Sequence, residues 1–421
     1  MTATSPAALL APRDITIPEP GSRTARDILS RALGRLVVDA RNLPRNLAVT
    51  RSEQADVAAV AALAGRLSKS GDAQDAAALT SCLRSPTVAA LLRTVRNEGA
   101  KPNPDRGYAR PVLHELCAAL CFELSLAGVI DSPVRLNHLP SRILSLSARA
   151  SIRIPDGATG AVFTKERVVF EVPGRDVELD PAAVAAGEPA GVVVVTRPYH
   201  PVARDLSLST EDDNPRAAFG ANPGEPPNLV DLGGRPPAEW NATLREGIAL
   251  IEQHCPTLHG EFDLYVRQIV PTGFHPETHR SASYRESIGA IYTSLHPLLM
   301  TMTEALVHEL SHNKLHALFE LDPVIENPAA ARYRSPVRTD PRPLRGVLLA
   351  VHAFLPIAHL YEKMLEQRHP LSRSPYFSER FAQIRRLNRE GAAVVLDNAR
   401  PTPVGRAVLD EIRKWIDHFA G

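Results

Sequence analysis

The spacing of apolar residues changes period twice along this chain, and that change limits its folds more than any other feature. From Thr24 to about Ile130 the apolar positions recur every three or four residues, as in ARDILSRALGRLVVDARNL, ADVAAVAALAGRLSKS and RPVLHELCAALCFELSLAGVI. That spacing predicts amphipathic helices broken at Gly and Pro. Between Arg142 and Thr196 short β-branched runs take over (ASIRI, AVFTK, RVVFEV, GVVVVT), separated by PDG, PGR and Asp-Pro turn signals. These read as strands and hairpins. The stretch 198–237 is too rich in Pro, Gly and Asp for a regular element and is expected to be a long loop, a lid or a linker.

Beyond it the pattern predicts a helix (AEWNATLREGIALIEQH), two strand-like runs (FDLYVRQIV and IGAIYTSLH) and an amphipathic helix from about Leu298 to Phe319. The last third is helical again, and its first helix carries Pro343 near its start and Pro356 inside, where a kink is expected. The expected fold is therefore α+β, with a helical N-terminal region at 1–140 and a second region at 141–421 that has central, mainly antiparallel strands followed by two long C-terminal helices. The first region is a candidate for binding a peptide or a partner.

At 421 residues the chain is long enough to bury a sizeable core without covalent staples. Its four cysteines (82, 117, 121 and 255) form no CxxC pair, which fits a reducing cytoplasm. Lys and Arg number 48 against 47 Asp and Glu, so no broad basic surface is available and nucleic acid is an unexpected partner. The N-terminus lacks a basic region followed by a long apolar one, and no window approaches 18 uninterrupted apolar residues, so neither export nor a membrane anchor is expected.

Chemistry enters at TEALVHELSHNKLH. His308-Glu309-Leu310-Ser311-His312 is an HExxH on a predicted helix, where residues four apart share a face, so both imidazoles can converge on one divalent metal with Glu309 beside the open position. His316 extends the face by a turn and reads as a solvated or supporting histidine. Leu315 and Leu318 stand where a metzincin has Gly and a third His, so that pattern is absent. The following helix offers His352, His359 and Glu362 as third ligands; His352 is favoured, and a gluzincin would take a Glu such as Glu362. The metal site is thus expected between the two long C-terminal helices, which makes 141–421 the expected metal-dependent catalytic region. Between the helices RYRSPVRTDPRPLRG holds five arginines, of which Arg338 and Arg342 lie in a Pro-fixed segment suited to gripping a carboxylate.

The run from His275 to about Arg368, notably HRSASYRESIGAIYTSLHP, EALVHELSHNKL and RSPVRTDPRPLRGVLLAVHAFLPIAHLY, resembles the HExxH-motif domain of the iron- and 2-oxoglutarate-dependent peptide β-hydroxylases. That family accompanies ribosomally made, post-translationally modified peptides. Val337 stands where the family commonly has Trp. The resemblance implies Fe(II) held by His308, His312 and His352, with 2-oxoglutarate and O₂ as cosubstrates and a β-carbon of a precursor peptide as target. It implies Arg338 or Arg342 on the distal carboxylate of 2-oxoglutarate, and Ser281, Ser283 and Tyr284 as pocket lining. A radical SAM maturation enzyme is an expected partner, because some relatives are fused to one.

Glu309 leaves alternatives open. In a hydrolase it is the general base for metal-bound water; in an oxygenase it orients a ligand or binds the metal itself. A zinc peptidase therefore competes with the oxygenase, although it gives the arginine loop no task. A non-catalytic, peptide-binding scaffold with a structural metal is the third reading, and it leaves Glu309 without one.

Overall fold

The computed structural model describes residues 13–220 and 226–420. Five helices lead: α1 (Thr24–Arg41), α2 (Arg51–Lys69), α3 (Ala73–Leu83), α4 (Pro86–Gly99) and α5 (Arg106–Leu126). Sequence and capping agree in α2, where Thr50 accepts from the Glu53 amide and the Glu53 carboxylate reaches back to the Thr50 amide, satisfying donors the helix cannot use internally.

Strands follow: β1 (Val134–Leu136), β2 (Arg142–Ser145), β3 (Ala150–Arg153), β4 (Gly160–Phe163), β5 (Val168–Val172) and β6 (Arg175–Leu179). A short α6 (Pro181–Ala186) precedes β7 (Val195–Thr196), β8 (Tyr199–Pro201) and β9 (Ser207–Ser209). Next come α7 (Pro237–His254), α8 (Pro256–Tyr265), β10 (Gln268–Phe274), β11 (Ser281–Ala282) and β12 (Ala290–Leu295). Four helices close the fold: α9 (Leu299–Phe319), α10 (Leu344–Glu366), α11 (Pro375–Asn398) and α12 (Pro403–His418).

The described strands make three sheets, ordered β1-β4-β5-β6, β2-β3-β7 and β11-β12-β10-β9-β8. The first two are antiparallel throughout; short turns join β2 to β3, β4 to β5 and β5 to β6, while β1–β4 and β3–β7 pair across intervening elements. The five-stranded sheet is mixed: β10 runs parallel to both β9 and β12, because helices or long crossovers, not tight turns, separate these strands. An α+β fold with a helical N-terminal region and mainly antiparallel pairing is thus the observed architecture.

Two local expectations are revised. The FDLYVRQIV run divides, its first half ending α8 and its second forming β10. The stretch 198–237 is not wholly irregular, since it contributes β8, β9 and a bridge from Asp231 to Thr272. Its polar side chains anchor it to the sheet: Asn214 donates to the Tyr292 hydroxyl (3.0 Å), which donates to Asp212 (2.7 Å), and Asn228 donates to the Tyr284 hydroxyl (2.8 Å).

One apolar cluster runs from Ile15 through to Phe419, so the change near residue 140 is a change of element type rather than a gap in the core. Its axis is α9, which packs against α1, α7, α8, α10 and β12 and is buried almost all round, as a helix surrounded by neighbours must be. α10 has the length and hydropathy of a membrane span, yet 72% of that window is buried in this core. It continues through Pro356 as one helix.

Candidate metal centre

The central position of α9 fixes what the HExxH residues meet. His308, Glu309 and His312 bring one ligand atom each to within 4.8 Å of one another, and they are the one such group among the described residues. The His308 and His312 rings meet edge to face at 4.4 Å, and the ring of Phe354 from α10 closes on His308 at 5.0 Å. Glu309 is buried, with 1% of its surface exposed. Its two oxygens accept from Ser281 Oγ and Ser283 Oγ, both at 2.6 Å.

The serines reach Glu309 because Asn313, one turn further along α9, ties the helix to the sheet. Asn313 donates through Nδ2 to the Glu309 carbonyl (2.8 Å), the Ala290 carbonyl (3.3 Å) and Ser283 Oγ (3.1 Å), and its Oδ1 accepts from the Gly289 amide (2.6 Å). These bonds hold the start of β12 on α9. β11, antiparallel to β12 with Ser281 opposite Thr293, is thereby set above the carboxylate.

Burial sets the protonation of the group. It is the main force holding His308 well below its ordinary value, with His312, His279, Arg338 and Arg380 adding to it. Burial also lowers His312 to about 4. Both rings are therefore neutral near pH 7, the state in which imidazole binds metal. Glu309 is pushed up by burial to about 7, against the two serine hydrogen bonds that favour its ionised form.

The donor set fits a divalent transition metal. Two neutral imidazoles and a carboxylate are the ligands of non-haem Fe(II) and, with a water, of zinc. His312 Nδ1 is buried with no hydrogen-bond partner, so no protein group competes for that nitrogen.

His352 lies on α10, fully buried and outside the converging trio. Its charged form is opposed by burial and then by Lys314 and His312, against the backbone of Ile15 beside it, which favours that form. Its neighbour in the sequence motif, Phe354, is the residue that touches His308. His359 and Glu362 turn toward α12: Glu362 meets His418 at 2.8 Å, and the His359 ring packs on Trp415 at 5.4 Å. Arg338 stands near His308, whose charge it opposes. Arg342 instead ion-pairs with Asp340 at 2.8 Å while its backbone bridges to Tyr333. His316 is packed beside Phe319, with Arg345, Arg285 and Arg93 among the groups that disfavour its charge.

Sequence reasoning passed over His279. It is lowered to about 4, chiefly by burial and then by His296, and its Nε2 lies 3.1 Å from Thr293 Oγ1. The signal was present: 279, 281 and 283 alternate, so on an edge strand all three share a face. Glu304, one turn before His308, was also missed. It takes a forked grip from Arg380 (2.6 and 3.1 Å) and a hydrogen bond from Tyr361 (2.5 Å), fixing the helix on its other side.

No family model matches the chain, and no curated protein matches it in sequence.

Proposed function

We propose that the protein is an Fe(II)- and 2-oxoglutarate-dependent oxygenase that hydroxylates a β-carbon of a residue in a ribosomally made precursor peptide. The observation that carries this reading is the convergence of His308, His312 and Glu309, two imidazoles and one carboxylate, on a single point. His308, His312 and Glu309 would hold the ion, and His352, outside this group, is not among its ligands. Bound there, Fe(II) supplies the redox chemistry that couples O₂ reduction and 2-oxoglutarate decarboxylation to hydroxylation.

The chain's own residues have definite tasks in this scheme. The neutral rings offer lone pairs without first losing a proton. Ser281 and Ser283 bind both oxygens of Glu309, orienting the carboxylate as a ligand or as a support for one; a hydrolytic base keeps an oxygen directed at water instead. Arg338, whose charge is felt by His308, would present its planar guanidinium to the distal carboxylate of 2-oxoglutarate. Phe354 covers one side of His308 and limits water there. The expected partners are the precursor peptide and a radical SAM maturation enzyme. The expected compartment is the cytoplasm, with which four buried free thiols agree.

The test is anaerobic loading with Fe(II) followed by optical titration with 2-oxoglutarate. A visible charge-transfer band that saturates, and that is lost in His308→Ala, is the expected result. Tight zinc binding with peptide cleavage and no band would replace the oxygenase by a metallopeptidase.

A further inference from the structure

A second site lies apart from the histidine cluster, where the helical region meets the sheets. A cavity of about 380 Å³ opens there, within the ~300–1,000 Å³ range of small-molecule sites. Four arginines line it from four separate segments: Arg84 between α3 and α4, Arg149 after β2, Arg204 between β8 and β9, and Arg267 just before β10. The one carboxylate in the lining is Asp205, held by Arg267 at 2.9 Å. The lining therefore carries three positive charges in excess.

These guanidinium groups are incompletely used. Arg84 donates from Nη2 to the Leu264 carbonyl, but its Nε is buried with no partner. Arg149 is engaged by a backbone carbonyl alone, that of Arg204 at 3.2 Å. Ser85, at the head of α4, is 6% exposed and lines the cavity. Its hydroxyl makes no capping bond to the helix, so the Thr87 and Val88 amides lack the acceptor that a serine in this place normally provides. Ser207, 2% exposed, faces the same space from β9. A helix N-terminus with a free hydroxyl, beside unneutralised arginine forks, wants an anion.

We propose that this cavity binds the phosphoryl group of a small phosphate ester. A planar carboxylate is satisfied by one fork in its own plane. A tetrahedral dianion accepts from many directions at once, and here the donors surround the space from four segments and a helix end. The volume leaves room for an organic moiety beyond the phosphate. This assignment is independent of the metal centre.

The test is isothermal titration of the full chain with inorganic pyrophosphate at constant ionic strength, with succinate as a dicarboxylate control. Saturable binding of pyrophosphate is expected, with succinate at least about tenfold weaker. Arg84→Met and the exposed-site variant Arg204→Ala should each lose about tenfold or more in affinity, while His308→Ala keeps the wild-type value. Three results would overturn the proposal: no saturable binding at millimolar pyrophosphate, succinate binding equally well, or wild-type affinity in both arginine variants. Arg204 has an exposed side chain, so its variant separates lost binding from lost folding.

Discussion

Ser281 and Ser283 show how a neutral side chain tunes a charged one. Each hydroxyl favours the ionised Glu309 that burial opposes, and the balance leaves the carboxyl near 7. Removing both donors in Ser281→Ala/Ser283→Ala should push it higher still, so that metal binding releases a proton over a higher range. The pH midpoint of metal binding, followed by titration between pH 6 and 9, is expected to rise by roughly one unit. Glu53 is the opposite case. Burial opposes its charge, but the Thr50 and Val49 amides, Arg110 and His114 outweigh burial and bring it from 4.5 to about 2. Its folded value lies below its unfolded one, so its contribution is present above about pH 4.5 and is lost as pH falls toward 2. Glu53→Gln should cost about 2 kcal/mol at pH 7, a difference that closes below pH 4.5 in urea unfolding series. The HExxH histidines and their glutamate were legible in sequence because helical spacing is local. Asn313 and Glu304 were not, since their partners at Ala290, Gly289, Tyr361 and Arg380 are named only by the tertiary fold.

At the scale of elements, α9 is held by polar clamps as well as apolar packing. Asn313 ties it to β12, Glu304 ties it to α10 and α11, and the fully buried Lys314 ties it to α8 through Glu261. Asn313→Ala strips four hydrogen bonds from a buried junction and should cost about 3 kcal/mol, with Ser283 and Glu309 losing their registration and metal affinity falling in step. Lys314→Met leaves Glu261 buried without its cation. We expect a loss of about 3 kcal/mol in denaturant unfolding, most of it regained in Lys314→Met/Glu261→Leu, where an apolar pair replaces the ionic one. Full stability in the single variant would show that the pair contributes nothing. Periodicity foretold α10 well, because it is long and strongly patterned; α9 was found by its length and apolar content, but the amphipathic face expected of it is absent because neighbours bury it almost all round. Periodicity missed α8 altogether and read FDLY as strand, because FDLY is apolar enough for either state and only its packing against α9 settles it as helix.

Across the whole molecule, distant segments complete one another. The sequence order of helices, strands and helices was enough for the fold class, but strand order was beyond it: nothing local says that β10 takes β9 and β12 as parallel neighbours. Nor does any motif announce that the Glu411 carboxylate on α12 accepts the amides of Ile15 (2.9 Å), Thr16 (2.8 Å) and Ile17 (3.2 Å). Glu411→Ala leaves those amides buried without an acceptor. It should cost about 2 kcal/mol and open the segment to early trypsin cleavage at Arg23, seen as a truncated band in a proteolysis time course. The same three bonds carry a consequence for synthesis. Ile15 leaves the ribosome 396 residues ahead of Glu411, a wait of roughly 20–80 s at ordinary elongation rates. Throughout that interval the stretch beside His352 has no anchor, and α1 can settle on α9 only provisionally. The nascent protein is thus a workpiece left open until its far helix arrives, and the last amides to find their acceptor were among the first to be made.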